Sequence, residues 1–179
     1  GPQTPMLNDV MVIQQIYGAS TTTRTGNTTY GFGCTLTGND AALYDFSRNP
    51  NPILTIFDSG GIDTLNFSGW STRSDIHLEA GVFSSANDMT NNIVIAYGCI
   101  IENAVGGWGS DVLTGNAAGN VLNGGAGNDT LFGLDGDDIL IGGAGDDTID
   151  GGRGTDTAVL SGTLVSYTFS YNSLANLFT

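Results

Sequence analysis

The rhythm of polar and apolar positions changes near residue 97. Before it, the pattern is short and irregular. Residues 7–17 (LNDVMVIQQIY) put Val10, Ile13 and Tyr17 on one helical face, with Asn8 or Asp9 able to cap the start and Gly18 to end it. Residues 20–30 are turn-rich and β-prone. Apolar and β-branched runs at 53–57, 64–67, 75–78 and 93–97, separated by Gly, Asn and Ser clusters, predict short strands. This half is expected to be β-rich and to pack on the half that begins near residue 97.

From Gly106 the chain falls into nines: GGWGSDVLT, GNAAGNVLN, GGAGNDTLF, GLDGDDILI, GGAGDDTID and GGRGTDTAV. Position 1 is always Gly, position 6 is Asp except for Asn120, position 7 is β-branched and position 8 is apolar (Leu113, Leu122, Leu131, Leu140, Ile149, Ala158). Residues 97–105 read as a degenerate unit, with Gly98, Glu102 and Ala104 in register. Glycines let the backbone turn tightly and bring carbonyls toward one point. Asp supplies the hard oxygen that Ca²⁺ prefers. β-Branched residues suit a strand, and one inward apolar side chain per strand can stack on its neighbours down a narrow core. Each unit therefore predicts a six-residue turn followed by a three-residue strand. A disordered glycine-rich linker does not explain apolar residues locked to a period of nine.

Charge sharpens the picture. Eighteen acids face four Lys and Arg, for a net charge of -14. That argues against nucleic acid and against anionic membrane surfaces. No apolar run reaches membrane-spanning length, and residues 1–20 lack the basic start and apolar core of a signal peptide. Gly1-Pro2 looks like the remnant of a removed tag, which predicts excision from a longer chain. Cys34 and Cys99 fit either two small buried thiols or a disulfide formed in an oxidising compartment. The single histidine, His77, makes a three-His zinc site impossible and reads as a surface or edge residue. Trp70 and Trp108 read as exposed aromatics.

The nonapeptide matches the calcium-binding repeat of RTX proteins. The resemblance extends further. The runs PMLNDVMVIQQIYGASTTTRTGNTTYGF, FDSGGIDTLNFSGW and IIENAVGGWGSDVLTGNAAGNVLNGGAGNDTLFG, in that order, resemble the C-terminal region of serralysin-type secreted zinc metalloproteases over roughly residues 5–157. The resemblance implies an all-β fold: a Ca²⁺-bound parallel β-roll packed against flanking β-sandwich strands, with a short N-terminal helix. It divides the chain into a helix stub from a preceding catalytic domain (1–19), a β-rich flanking half (20–96), the roll (97–159) and a β tail (160–179). The catalytic motif H-E-x-x-H-x-x-G-x-x-H is absent, so this chain is not expected to be an enzyme or to bind zinc. The tail departs from the family and looks more like the strand pairs that come after repeats in other RTX proteins.

The resemblance also implies a ladder of Ca²⁺ sites, each between one unit and the unit two further on. Carbonyls of positions 2 and 4 with the Asp of one unit face carbonyls of positions 1 and 3 with the Asp of the other. Gly107, Gly109 and Asp111 face Gly124, Ala126 and Asp129. Gly125, Gly127 and Asp129 face Gly142, Ala144 and Asp147. Leu134, Gly136 and Asp138 face Gly151, Arg153 and Asp156. Asn116, Ala118 and Asn120 form a weak rung opposite Gly133, Asp135 and Asp138, because an amide carries no charge. Gly143 and Gly145 hold positions 2 and 4 of the fifth unit and belong to the same set. Ile100 and Glu102 resemble the first ladder ligands. Arg24, Gly26 and Thr28 (carbonyls), with Asp58, Gly60, Gly61 and Asp63, suggest a separate site. The implied function is calcium-triggered folding outside a bacterial cell after type I secretion, as a monomer attached to an N-terminal catalytic domain. The rival is an RTX interaction or secretion module of another secreted hydrolase or adhesin.

Overall fold

A computed structural model describes residues 1–161. The expected helix forms as α1 (Leu7–Tyr17). Its N-cap is Met6 rather than Asn8 or Asp9: the Asp9 carboxylate reaches back to accept the Met6 amide at 3.1 Å. Gly18 closes it, at φ 80°, donating to the Gln14 carbonyl. The expected apolar face is mostly open to solvent. Leu7 is buried, whereas Ile13 is 52% and Tyr17 82% exposed.

Strands β1 (Thr29–Gly31), β2 (Leu54–Ile56), β3 (Thr64–Asn66), β4 (Asp75–His77), β5 (Phe83–Ser84), β6 (Ile93–Ile95) and β7 (Asn103–Val105) precede the regular repeats. The repeats supply β8 (Val112–Thr114), β9 (Val121–Ala126), β10 (Thr130–Phe132), β11 (Ile139–Ala144), β12 (Thr148–Asp150) and β13 (Thr157–Val159). A second helix, α2 (Gly38–Tyr44), and strand β5 are not anticipated by the sequence pattern. Consecutive nines go to opposite sheets. The second, fourth and sixth give β9, β11 and β13 to a six-stranded sheet ordered β1-β3-β7-β9-β11-β13. The first, third and fifth give β8, β10 and β12 to a four-stranded sheet ordered β12-β10-β8-β4. All pairings in these two sheets are parallel, and the repeat strands pair with one another at a separation of 18 residues, as Leu122 with Leu140. One coil is therefore two units.

The position-8 side chains point between the two sheets. Leu113, Leu122, Leu131 and Leu140 are at most 1% exposed, each burial being worth about 1.5–3 kcal/mol. The column continues backward without a break, because Leu65 pairs with Ala104 and Ile76 with Leu113. The non-repeating half thus extends the same two sheets. It also adds a third, β2-β6-β5, and an aromatic cluster in which Phe46 stacks on Trp70 with centroids 4.9 Å apart. Trp70 is therefore a core residue rather than an exposed one, while Trp108 is 71% exposed. Cys34 and Cys99 are both free thiols; buried Cys99 accepts the Asp58 amide through Sγ. His77, half-buried on the outermost strand of its sheet, lies 3.3 Å from Asp75. Among the described residues no helix is long and apolar enough to cross a membrane. The expected tail lies outside the described residues from 162 onward.

Candidate metal centre

The turns between strands form two rows, one along each edge of the roll. Their close approach depends on glycine. Gly143 sits at φ 106°, and a Cβ there would collide with the Gly125 carbonyl of the preceding coil. Leu134 occupies the equivalent left-handed position at φ 81° without being glycine, and its carbonyl accepts the Arg153 amide at 2.6 Å.

The position-6 carboxylates are stitched from coil to coil. On one edge the Ser74 amide donates to Asp111 at 2.6 Å, the Asp111 amide to Asp129 at 2.7 Å, and the Asp129 amide to Asp147 at 3.0 Å. On the other edge the Thr28 amide donates to Asp63 at 2.7 Å, the Asp63 amide to Glu102 at 2.7 Å, the Asn120 amide to Asp138 at 2.7 Å, and the Asp138 amide to Asp156 at 3.1 Å. Each bond uses one carboxylate oxygen. The other oxygen of Asp63, Asp129 and Asp138 is buried with no hydrogen-bond partner.

The free oxygens of Asp129 and Asp138 face carbonyls. A Cβ built on Gly133 would strike both Asp138 Oδ2 and the Gly151 carbonyl; one on Gly124 would strike Asp129 Oδ2 and approach the Gly142 carbonyl at 2.6 Å. One carboxylate oxygen and a carbonyl from the next coil thus converge where position 1 has no side chain. Among the described residues no three His, Cys, Asp or Glu side chains cluster closely enough to hold a metal. A cation in these cradles would draw mainly on backbone oxygen, the ligand set of a hard ion such as Ca²⁺. A buried carboxylate oxygen without a partner is costly, and a cation satisfies it, so the residues present fit such an ion.

Burial raises the carboxyl pKa of Asp111, Asp129 and Asp138 above the ordinary value. Asp129 is pushed to about 6, its burial opposed by the Asp111 amide and reinforced by the charges of Asp111 and Asp147. Asp63 also rises to about 6, by burial and by the neighbouring Asp58 and Glu102, against the bond from the Thr28 amide.

The expected residue sets meet in space. The Ala126 amide donates to the Gly107 carbonyl, and the ladder joins Asp111 to Asp129 and Asp147. Leu134 and Gly136 meet Arg153 through paired backbone bonds, and Asp135 also bridges to Arg153. The Asn120 rung differs from the others. Its amide nitrogen donates to the Glu102 carbonyl at 2.9 Å and to Asn116 at 3.1 Å, and Asn116 in turn donates to the Leu78 and Ile101 carbonyls. In the non-repeating half, Gly61 packs against the Gly26 carbonyl, and Thr28 bonds both Gly26 and Asp63. Asp58 is committed to the Tyr30 hydroxyl at 2.6 Å and the Gly60 amide at 2.9 Å. The Arg24 guanidinium goes to Asp40 and the Phe57 carbonyl. Sequence reasoning missed Ser74, the first rung of one edge, because it stands 37 residues before Asp111 and outside any period of nine.

Comparison with known proteins gives these turns a family. Residues 19–177 match the model described as "Peptidase M10 serralysin C terminal", so the match also takes in most of the tail that the sequence reading set apart from the family. The chain is 44% identical over 110 residues to "Serralysin B" of Dickeya chrysanthemi, covering 61% of this chain and 22% of that protein. It is 45% identical over 116 residues to "Serralysin" of Proteus mirabilis, covering 65% and 23%. It is 44% identical over 116 residues to "Metallopeptidase AprA" of Pseudomonas marginalis, covering 65% and 24%. The chain spans less than a quarter of the length of these relatives. With a family match over most of its length, the chain belongs to the serralysin C-terminal family of M10 peptidases.

Proposed function

We propose that this chain is the calcium-binding RTX module of a secreted bacterial zinc metalloprotease, and that it folds when it meets extracellular Ca²⁺. The observation that carries the reading is the set of buried, partnerless oxygens on Asp63, Asp129 and Asp138, those of Asp129 and Asp138 facing carbonyls of adjacent coils. Bound Ca²⁺ would supply positive charge at these rungs and couple binding energy to folding. Without it, carboxylates repeat along each edge and repel, while one inward apolar side chain per nine residues gives a core too thin to offset chain entropy. The proposed ligands are the carboxylates of Glu102, Asp111, Asp129, Asp138, Asp147 and Asp156 with carbonyls of the paired turns, and Asp58 and Asp63 with Gly26, Thr28 and Gly60 in the first half.

Extracellular calcium modules bind at roughly 10⁻⁴ to 10⁻³ M, well above cytosolic calcium. A chain with such sites stays extended inside the cell, suits passage through the narrow channel of a type I secretion system, and folds outside. There it would act as a monomer on the N-terminal catalytic domain, supporting its stability. The rival adhesin-like reading loses half its support, since Trp70 is buried and only Trp108 stays exposed.

Hydrogen exchange in chelator and in millimolar Ca²⁺ tests the proposal. Residues 106–156 are expected to exchange freely in chelator and to gain cooperative protection with Ca²⁺, because each ion joins two coils. Mg²⁺ should substitute poorly, since it holds its waters and demands tight octahedral geometry. Full protection of that segment in excess chelator overturns the folding switch.

A further inference from the structure

A second set of bonds runs beside the carboxylate ladder, one residue earlier in each turn. Position 5 of the six units holds Ser110, Gly119, Asn128, Asp137, Asp146 and Thr155. The Asn128 amide donates to Ser110 Oγ at 3.1 Å, the Asp146 amide to Asn128 Oδ1 at 3.0 Å, and the Thr155 amide to Asp137 Oδ1 at 2.8 Å. Each pair is 18 residues apart, and all three bonds lie at the exposed surface of the turns. The direction is reversed relative to the ladder. A position-6 carboxylate accepts from the coil before it, whereas a position-5 side chain accepts from the coil after it.

We propose that position 5 is a positioning site: Ser110, Asn128 and Asp137 register successive turns through protein–protein bonds alone, and so hold the position-6 ligands in line across the coils that an ion joins. This rests on the calcium reading above. Three features support it. The same bond recurs on both edges of the roll. The three acceptors are Ser, Asn and Asp, whose shared property is a short side chain ending in an oxygen acceptor. Each bonded amide belongs to the residue immediately before a ladder residue (Asp129, Asp147 and Asp156), so fixing it restrains the peptide that carries the ligand. Gly119 marks the exception: it has no acceptor, and a Cβ there would lie 2.8 Å from the Asp137 carbonyl. That rung is also the one in which Asn120 replaces Asp.

The test compares the full chain with Asn128→Ala, Asn128→Asp and, on the other edge, Asp137→Ala. The Ca²⁺ midpoint is read by circular dichroism, the number of bound ions by native mass spectrometry, and the Asp146 and Thr155 amides by hydrogen exchange. Loss of one acceptor should raise the midpoint about three- to tenfold, the range for a single hydrogen bond. The ion count should stay unchanged, the bonded amide should exchange faster, and Asn128→Asp should restore the midpoint to within about twofold because the acceptor is kept. An unchanged midpoint in both alanine variants, equal damage from Asn128→Asp, or loss of one ion would each overturn the proposal; the last would make Asn128 a ligand. A wild-type chain that ignores Ca²⁺ sinks the calcium reading itself, whereas a normal wild-type response with unaffected variants sinks the seam alone.

Discussion

The Asp111 amide donates to one oxygen of Asp129 at 2.7 Å, and the other oxygen of Asp129 is buried without a partner. One carboxylate thus registers two coils and keeps half of its bonding capacity free. Asp129 is also shared between consecutive proposed sites, since its own amide bonds Asp147. Asp129→Ala should therefore raise the Ca²⁺ midpoint for folding by roughly tenfold or more, through loss of a charged ligand and of a buried acceptor. Asn120→Ala, which removes an amide already occupied by Glu102 and Asn116, should shift it less. Titrations by circular dichroism giving equal shifts would mean that the rungs are wrongly drawn.

Acid should act in opposite senses on the metal-free and metal-bound chain. In the metal-free fold Asp63 and Asp129 titrate near 6, above the ordinary carboxylate value of 3.8, mainly through burial. A group whose folded pKa is raised favours the fold below its unfolded pKa, and that contribution is lost as pH rises through the folded pKa. In chelator the chain should accordingly gain β structure as pH falls from about 7 toward about 4. In Ca²⁺ the same protons compete with the cation, so the midpoint should rise as pH falls below about 6. Far-ultraviolet dichroism against pH, with and without Ca²⁺, checks both signs; identical pH profiles in the two conditions would contradict the coupling.

Gly143→Ala should be severe for its size. The residue sits at φ 106°, and the added carbon meets the Gly125 carbonyl. Backbone strain of this kind costs about 1–3 kcal/mol. The variant should melt earlier than wild type in saturating Ca²⁺ by scanning calorimetry. Ala144→Gly, one residue on, serves as a contrast in which nothing is added.

Zinc-dependent proteolysis of the three-His kind is not expected from these 179 residues. With His77 as its single histidine, a three-His zinc ligand set cannot be assembled. Casein incubated with the purified chain, Zn²⁺ and Ca²⁺ should remain intact, and cleavage that co-purifies with the chain through successive columns would contradict the assignment.

The sequence by itself determined the roll. A period of nine is a local signal: Gly at position 1, Asp at 6 and Leu at 8 dictate turn, rung and inward side chain within each unit, and regular stacking repeats the result. The helix at Leu7–Tyr17 and the cores of β2, β3, β4 and β6 were legible for the same local reason. Tertiary structure alone decided how the irregular half joins. β1, β3 and β4 extend the two roll sheets, and the Thr28, Asp63 and Ser74 rungs stand 35, 39 and 37 residues from the partners that continue the ladder, not 18. Those longer coils contain α2 and the third sheet, so no fixed spacing betrays the pairing. Trp70 shows the same limit: in a Gly- and Ser-rich segment it reads as exposed, and only the rings of Phe32, Phe46 and Phe67, gathered from separate parts of the chain, bury it. Non-local apolar contacts override local composition wherever the chain lacks a repeat.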